Sequence, residues 1–148
     1  MRVQDVIKTK GAAVITVADT IRVDQAVRVM QEQAIGALVV VASDGRLRGV
    51  ISEREVILAL ARHGKAALDL AAGRLLLAAC PAVAPDDTVR DAMAIMTERR
   101  VRHLPVISNH SIVGLISLGD TVKARLTEKI AENLVLRDMA RWPAAAAA

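Results

Sequence analysis

The sequence of 148 residues contains no phenylalanine, no tyrosine and a single tryptophan. Stacking nucleic-acid bases on side chains needs aromatic rings, so that mode of single-strand recognition is disfavoured. One cysteine, Cys80, excludes an intrachain disulfide and cannot build a cysteine metal site alone. Within "LLLAACPAV" it reads as a small buried apolar residue, and such usage fits a reducing compartment. The three histidines, His63, His103 and His110, lack the paired spacing of a zinc site. Neither a nucleophile elbow, a Walker A loop nor a dinucleotide glycine fingerprint occurs, and Cys80 with a distant histidine is no credible catalytic pair. A non-enzyme is expected. The longest uncharged run, near "LLLAACPAVAP", falls short of the ~20 residues of a spanning helix. The opening "MRVQDVIKTKG" has charges where a secretory leader would be apolar. Together these absences point to a soluble cytoplasmic protein without a membrane partner.

The chain is nevertheless 53% hydrophobic, almost wholly aliphatic, with a net charge of +4. The positive excess is spread along the sequence without a basic tail. It reads as a solvated surface, with nucleic-acid binding as a weak alternative resting on charge alone.

The sequence also repeats. A shift of 66 aligns Val17, Val23, Ala26, Met30, Leu38 and Val40 with Val83, Val89, Ala92, Met96, Leu104 and Val106. A shift of 65 then aligns Gly49, Ile51 and Ser52 with Gly114, Ile116 and Ser117. Each unit begins with a short extended piece, Val14 to Val17 or Pro81 to Val83. Helices follow over about Val23 to Gln33 and Val89 to Arg99, with apolar residues at helical spacing. Thr88 with Asp91 suits a helix start, whereas Arg22 is a poor cap. Next come two hairpins, turning at Ser43-Asp44-Gly45 and near Asn109-His110. A second helix starts at Ser52 or Ser117. The first of these ends near His63-Gly64 and the second runs on through "TVKARLTEKIAENLVLRDMARW". The expected fold is α/β (α+β), two β-α-β-β-α repeats related by a pseudo-twofold axis. Repeat 1 spans 3–64 and a linker 65–79 carries a short helix around Ala71 to Ala78. Repeat 2 spans 80–140, and 141–148 form a flexible tail.

The stretches "AIGALVVVASDGRLRGVISEREVILAL" and "VRHLPVISNHSIVGLISLGDTVKARL" resemble, in order and spacing, a tandem pair of cystathionine-β-synthase (CBS) domains, or Bateman module. The resemblance covers about residues 3 to 140. It implies a regulatory module that binds AMP, ADP, ATP, NAD(H) or, less expected, S-adenosylmethionine in clefts between the repeats. It also implies a homodimer and an effector protein as partners. The family's site motif is Gly, apolar, any, Ser or Thr, any, any, Asp, the acid holding ribose hydroxyls. Gly114, Ser117 and Asp120 match it fully. Gly49 and Ser52 match, but Glu55 replaces Asp, which leaves open an interaction module with degenerate sites.

Read without the resemblance, Ser-x-x-Glu and Ser-x-x-Asp are also capping boxes at a strand-to-helix junction. The same helix N-termini offer amides to an anion, and capping alone does not require Gly49 or Gly114. Candidate phosphate cations are Arg54, Arg102, His103 and Lys10, with Lys8 beside it; Arg99 and Arg100 read as a solvated helix end. Lys123 is placed to pair with Asp120 at helical spacing. For the adenine slot the candidates are Thr16, Gly36, Ala37 and Leu38 in the first unit and Ala82, Val83 and Leu104 in the second. The apolar final helix, with Ile130, Leu134, Leu136 and Met139, suggests packing on another copy.

Overall fold

The computed structural model describes residues 1–141; the tail expected at 141–148 lies outside them save for its first residue. The elements run α1 (Val3–Lys10), β1 (Thr16–Ala18), α2 (Val23–Gln33), β2 (Ala37–Val41), β3 (Leu47–Ser52) and α3 (Glu53–His63). Two 3-10 turns, Gly64–Asp69 and Ala72–Arg74, precede α4 (Val89–Arg99), β4 (His103–Ser108), β5 (Ser111–Ser117) and α5 (Leu118–Arg141).

The repeat is visible in the hydrogen-bond register. Strand β1 runs parallel to β2, with Val17 opposite Val40, and β2 pairs antiparallel with β3. In the second half Val83 bridges Val106 in parallel, and β4 pairs antiparallel with β5. Leu38 faces Ile51 as Leu104 faces Ile116, and Val40 faces Gly49 as Val106 faces Gly114. Each hairpin carries a register shift at the same place, after Val40 and after Val106. Helices α2 and α4 bury equivalent residues, Val23, Ala26 and Met30 against Val89, Ala92 and Met96. Both end in a left-handed residue, Ala34 (φ 53°) and Arg100 (φ 54°). The following amides of Ile35 and Val101 close on the carbonyls of Met30 and Met96. This is a Schellman-type ending without the usual glycine.

Thr88 caps α4 as expected, its hydroxyl accepting from the Asp91 amide at 3.1 Å. Arg22 supplies no cap; its guanidinium pairs with Asp24 and Asp69 instead. Four expectations need correcting. The first strand is Thr16–Ala18, not Val14 to Val17, and "PAV" makes one bridge, not a strand. The linker helix expected at Ala71 to Ala78 is only the 3-10 turn Ala72–Arg74. The amides of Ala72 and Gly73 donate to the carbonyls of Ile21 (2.7 Å) and Asp19 (2.9 Å), tying the linker to repeat 1, while those of Arg74 and Leu75 close the turn on Ala71 and Ala72. Val27, which falls at the apolar spacing of α2, is exposed. Finally, α1 was not legible: its eight residues carry few apolar side chains, and its start is capped by Asp5, which accepts from the Arg2 amide at 2.9 Å.

Helix α1 sits at the front of the chain but packs in the core of the second half. Val3 and Val6 join Val83, Val89, Met96, Leu104, Val106 and Ile116. Conversely, Ala72, Leu75 and Leu76 from the linker pack with Val23, Met30, Leu38, Val40 and Ile51. The bridges Arg2–Thr88 and Arg22–Ala71 repeat this exchange in the backbone. The glycines of the two motifs lie under these segments. A Cβ on Gly114 would come within 2.7 Å of Ile7 Cδ1, and one on Gly49 within 3.2 Å of both Leu76 methyls. The motif glycines therefore make room for side chains of this chain, Ile7 and Leu76.

Gly114→Val should cost about 1–3 kcal/mol, the usual range for overpacking. Adding Ile7→Ala should recover part of that loss in a urea-unfolding double-mutant cycle, because the two side chains compete for one space.

Candidate functional site

The chain crosses between the halves twice, at residues 11–15 after α1 and at residues 77–82 after the second 3-10 turn. Each crossing walls a cleft. The first cleft is lined by Gly49, Ser52, Arg54 and Glu55 of repeat 1, by Leu77, Cys80 and Pro81 of the crossing, and by Arg100, Arg102 and His103 of repeat 2. The second is lined by Lys10 of α1, by Val14 and Ile15 of the crossing, by Ile35, Gly36 and Ala37 of repeat 1, and by His103, Leu115 and Ser117 of repeat 2. Each cleft thus joins a strand-to-helix motif from one repeat to the strand entry of the other.

This regroups the residues singled out from the sequence. Arg102 lines the cleft of the Ser52–Glu55 motif as well as a groove with Ser117 and Gly119 of its own repeat, and Gly36 and Ala37 join the Ser117 motif. His103 reaches both clefts. Leu38 and Leu104 are wholly buried and Val83 is 3% exposed, so their side chains serve the two cores rather than a cleft wall. Thr16 and Ala82 are exposed and lie outside the residues that line either cleft. Arg100, read as a solvated helix end, lines the first cleft, while Lys8 is exposed on α1. Sequence reasoning missed the crossing residues Val14, Ile15, Leu77, Cys80 and Pro81. Their only signal was position, between one repeat's packing segment and the other's first strand. Cys80 is half-buried at the first cleft, not in the core. Burial pushes its thiol pKa up, partly offset by a backbone hydrogen bond from Val50.

The two motifs are wired differently. In the first, Glu55 Oε2 accepts from the Ser52 amide at 2.8 Å and also from the Ser52 hydroxyl. The acid is spent on its own serine, as a capping box. Arg54 extends across the halves and donates from Nη1 to the Arg100 carbonyl at 2.9 Å. In the second, Asp120 Oδ2 accepts from the Ser117 amide at 2.8 Å, and Ser117 Oγ accepts from the Asp120 amide at 3.1 Å. The same Oδ2 pairs with Lys10 Nζ at 2.6 Å, and Lys10 also donates to the Leu115 carbonyl at 3.0 Å. Lys10 rather than Lys123 is thus the partner of Asp120. Burial acts to raise the Asp120 pKa, but the hydrogen bonds from Lys10 and from the Ser117 amide and hydroxyl outweigh it and hold the carboxyl below its usual range.

His103 is half-buried between the clefts. Burial lowers its pKa first, and the Lys10 ammonium lowers it further; Glu55, Asp120 and Glu53 oppose this without reversing it. The imidazole is therefore neutral at pH 7 and can accept a hydrogen bond. Because the folded pKa lies below the unfolded one, the unfolded chain takes up this proton first as pH falls. Folding stability should then decline as pH drops through the ordinary imidazole range, between about 7.5 and 5.5. His103→Gln should flatten that part of the pH profile measured by urea unfolding.

Comparison with known proteins gives three findings. The family model described as "CBS domain" matches residues 3–62 and 75–127. The mitochondrial CBS domain-containing protein CBSX3 of Arabidopsis thaliana is 32% identical over 136 residues, covering 85% of this chain and 65% of that protein. The crystal structure of a CBS-domain containing protein from Agrobacterium tumefaciens is 35% identical, covers 84% of this chain and 92% of that one, and superposes with a TM-score of 0.80. A more distant structure, a CBS domain protein from Pyrobaculum aerophilum complexed with AMP, shares the fold at 22% identity and a TM-score of 0.70, covering 81% of this chain and 89% of that one.

Proposed function

This chain belongs to the CBS-domain family as a tandem pair, and from that premise we propose that it is a regulatory module that binds an adenine nucleotide between its repeats. The observation that carries the reading is the composite construction of both clefts. A ligand seated at either strand-to-helix junction touches both repeats, so it binds best to one relative arrangement of the halves and draws the population toward it. The AMP complex of the Pyrobaculum protein supports the ligand class.

In the second cleft, the Ser117 hydroxyl stands at the start of α5, the end of a helix whose dipole favours an anion. The Asp120 carboxylate can accept two ribose hydroxyls, and the slot between Ile15, Ile35 and Ala37 offers an apolar wall to the base. The first cleft is richer in cations, with Arg54, Arg100 and Arg102, but a ribose there must draw Glu55 away from Ser52. AMP, ADP, ATP or NAD(H) fit this description better than S-adenosylmethionine, whose sulfonium brings a positive charge toward cations. No residue set among those lining the clefts offers a nucleophile with its base, so the role is binding rather than catalysis. An interaction role without nucleotide is the alternative.

A homodimer forms part of the proposal. Val122, Leu126, Ile130 and Leu134 recur every four residues along α5 and are 42–60% exposed. Such a stripe is a docking face when another copy covers it. Among the described residues no helix is long and apolar enough to cross a membrane.

A thermal-shift panel with AMP, ADP, ATP, NAD(H) and S-adenosylmethionine tests the ligand. A nucleotide at 100 times its dissociation constant adds about 2.7 kcal/mol to stability. Failure of every compound at millimolar concentration sinks the nucleotide reading. Asp120→Ala should weaken binding at the second cleft by roughly tenfold or more, the loss expected of charge-assisted hydrogen bonds. The pair Leu126→Glu and Ile130→Glu should convert the chain to monomers in light scattering coupled to size exclusion.

A further inference from the structure

We propose that Lys10 makes the second cleft selective for adenine ligands that carry a phosphate, by closing Asp120 until an anion takes the ammonium away; this rests on the nucleotide reading above. The cleft lies on one side of the Lys10–Asp120 pair. On the other side is a groove lined by Asp5, Thr9, Lys123 and Thr127. Asp120 faces that groove, Ser117 faces the cleft, and Lys10 lines both. From the cleft, the carboxylate of the free protein is thus reached past the ammonium, which sits 2.6 Å from Oδ2.

A ribose that engages Asp120 must break or share this pair. A nucleoside offers Lys10 nothing in exchange, and leaves an ammonium with only the Leu115 carbonyl at 3.0 Å. A nucleotide offers its phosphate. Lys10 is at the last position of α1, beside Gly11, and its side chain is 40% exposed, so the ammonium can swing from carboxylate to phosphate with the helix in place. Ser117 Oγ, which lines the same cleft, completes the phosphate's surroundings. Discrimination arises because the same charge that blocks a neutral ligand attracts an anionic one.

The first cleft has no such latch. An offset of 69 relates Arg2 to Ala71, Val3 to Ala72 and Ile7 to Leu76, the pairs that bridge and pack alike, and it takes Lys10 to Ala79. Glu55 is held by Ser52 instead. The selectivity belongs to one cleft of the two.

The test compares adenosine with AMP by calorimetry on the full chain at pH 7.5, following the binding event that Asp120→Ala removes. The wild-type chain should prefer AMP by about tenfold or more, the scale of one charge-assisted contact. Lys10→Met should weaken AMP and leave adenosine equal or tighter, so that the ratio collapses toward one. Lys10→Arg should keep the ratio. The melting temperature of each free variant should stay within a few degrees of wild type, which separates a binding effect from a folding one. If Lys10→Met keeps the wild-type ratio while Asp120→Ala still weakens AMP, the Lys10 assignment is wrong and the nucleotide reading stands. If the wild-type chain binds neither compound, both fall.

Discussion

Two aliphatic side chains, Ile7 on Gly114 and Leu76 on Gly49, hold the halves of this protein in a single frame. Each comes from a segment that precedes one repeat and completes the core of the other. The half built on β4 and β5 is not finished by its own contiguous sequence, because α1 from the start of the chain packs into it, while the linker that follows α3 closes the half built on β2 and β3. The exchange forces two crossings of the chain between the halves. A chain that must cross at these points leaves backbone and small side chains along the seam, and the clefts form there.

The clefts inherit their asymmetry from this arrangement. The two strand-to-helix junctions share a register down to the residue, with Ala37 opposite Ser52 and His103 opposite Ser117. Yet at one junction the acid folds back on its own serine, and at the other it reaches a lysine from α1. One methylene distinguishes Glu55 from Asp120, and one crossing residue distinguishes Ala79 from Lys10. His103 stands in a strand entry where Ala37 stands in the other half, and its buried imidazole touches both clefts. A duplicated scaffold thus presents two different surfaces to a ligand.

Helix capping and ligand binding need not compete at these junctions. Ser117 Oγ accepts from the Asp120 amide and the Asp120 carboxylate from the Ser117 amide, which fixes the start of α5. The same fixing presets the hydroxyl and carboxylate at the cleft. A group held rigidly by the fold loses less freedom when a ligand arrives.

The sequence by itself determined the duplication, both hairpins, the long helices and the two motifs. These follow from local rules: apolar periodicity, Asp-Gly and Asn-His turns, and capping residues act within a few positions of one another. It also marked most polar groups of the clefts, since Ser52, Glu55, Arg102, His103, Ser117, Asp120 and Lys10 all stood out. Only the tertiary structure decided which of them meet. Arg102, near Ser117 in the sequence, also lines the cleft of Ser52, and Lys10 finds its partner 110 positions away. The reason is physical: α1 carries few apolar side chains and the apolar run of the linker has no regular period, so neither is placed by its own pattern. They take their positions from the hydrophobic space open on the two sheets.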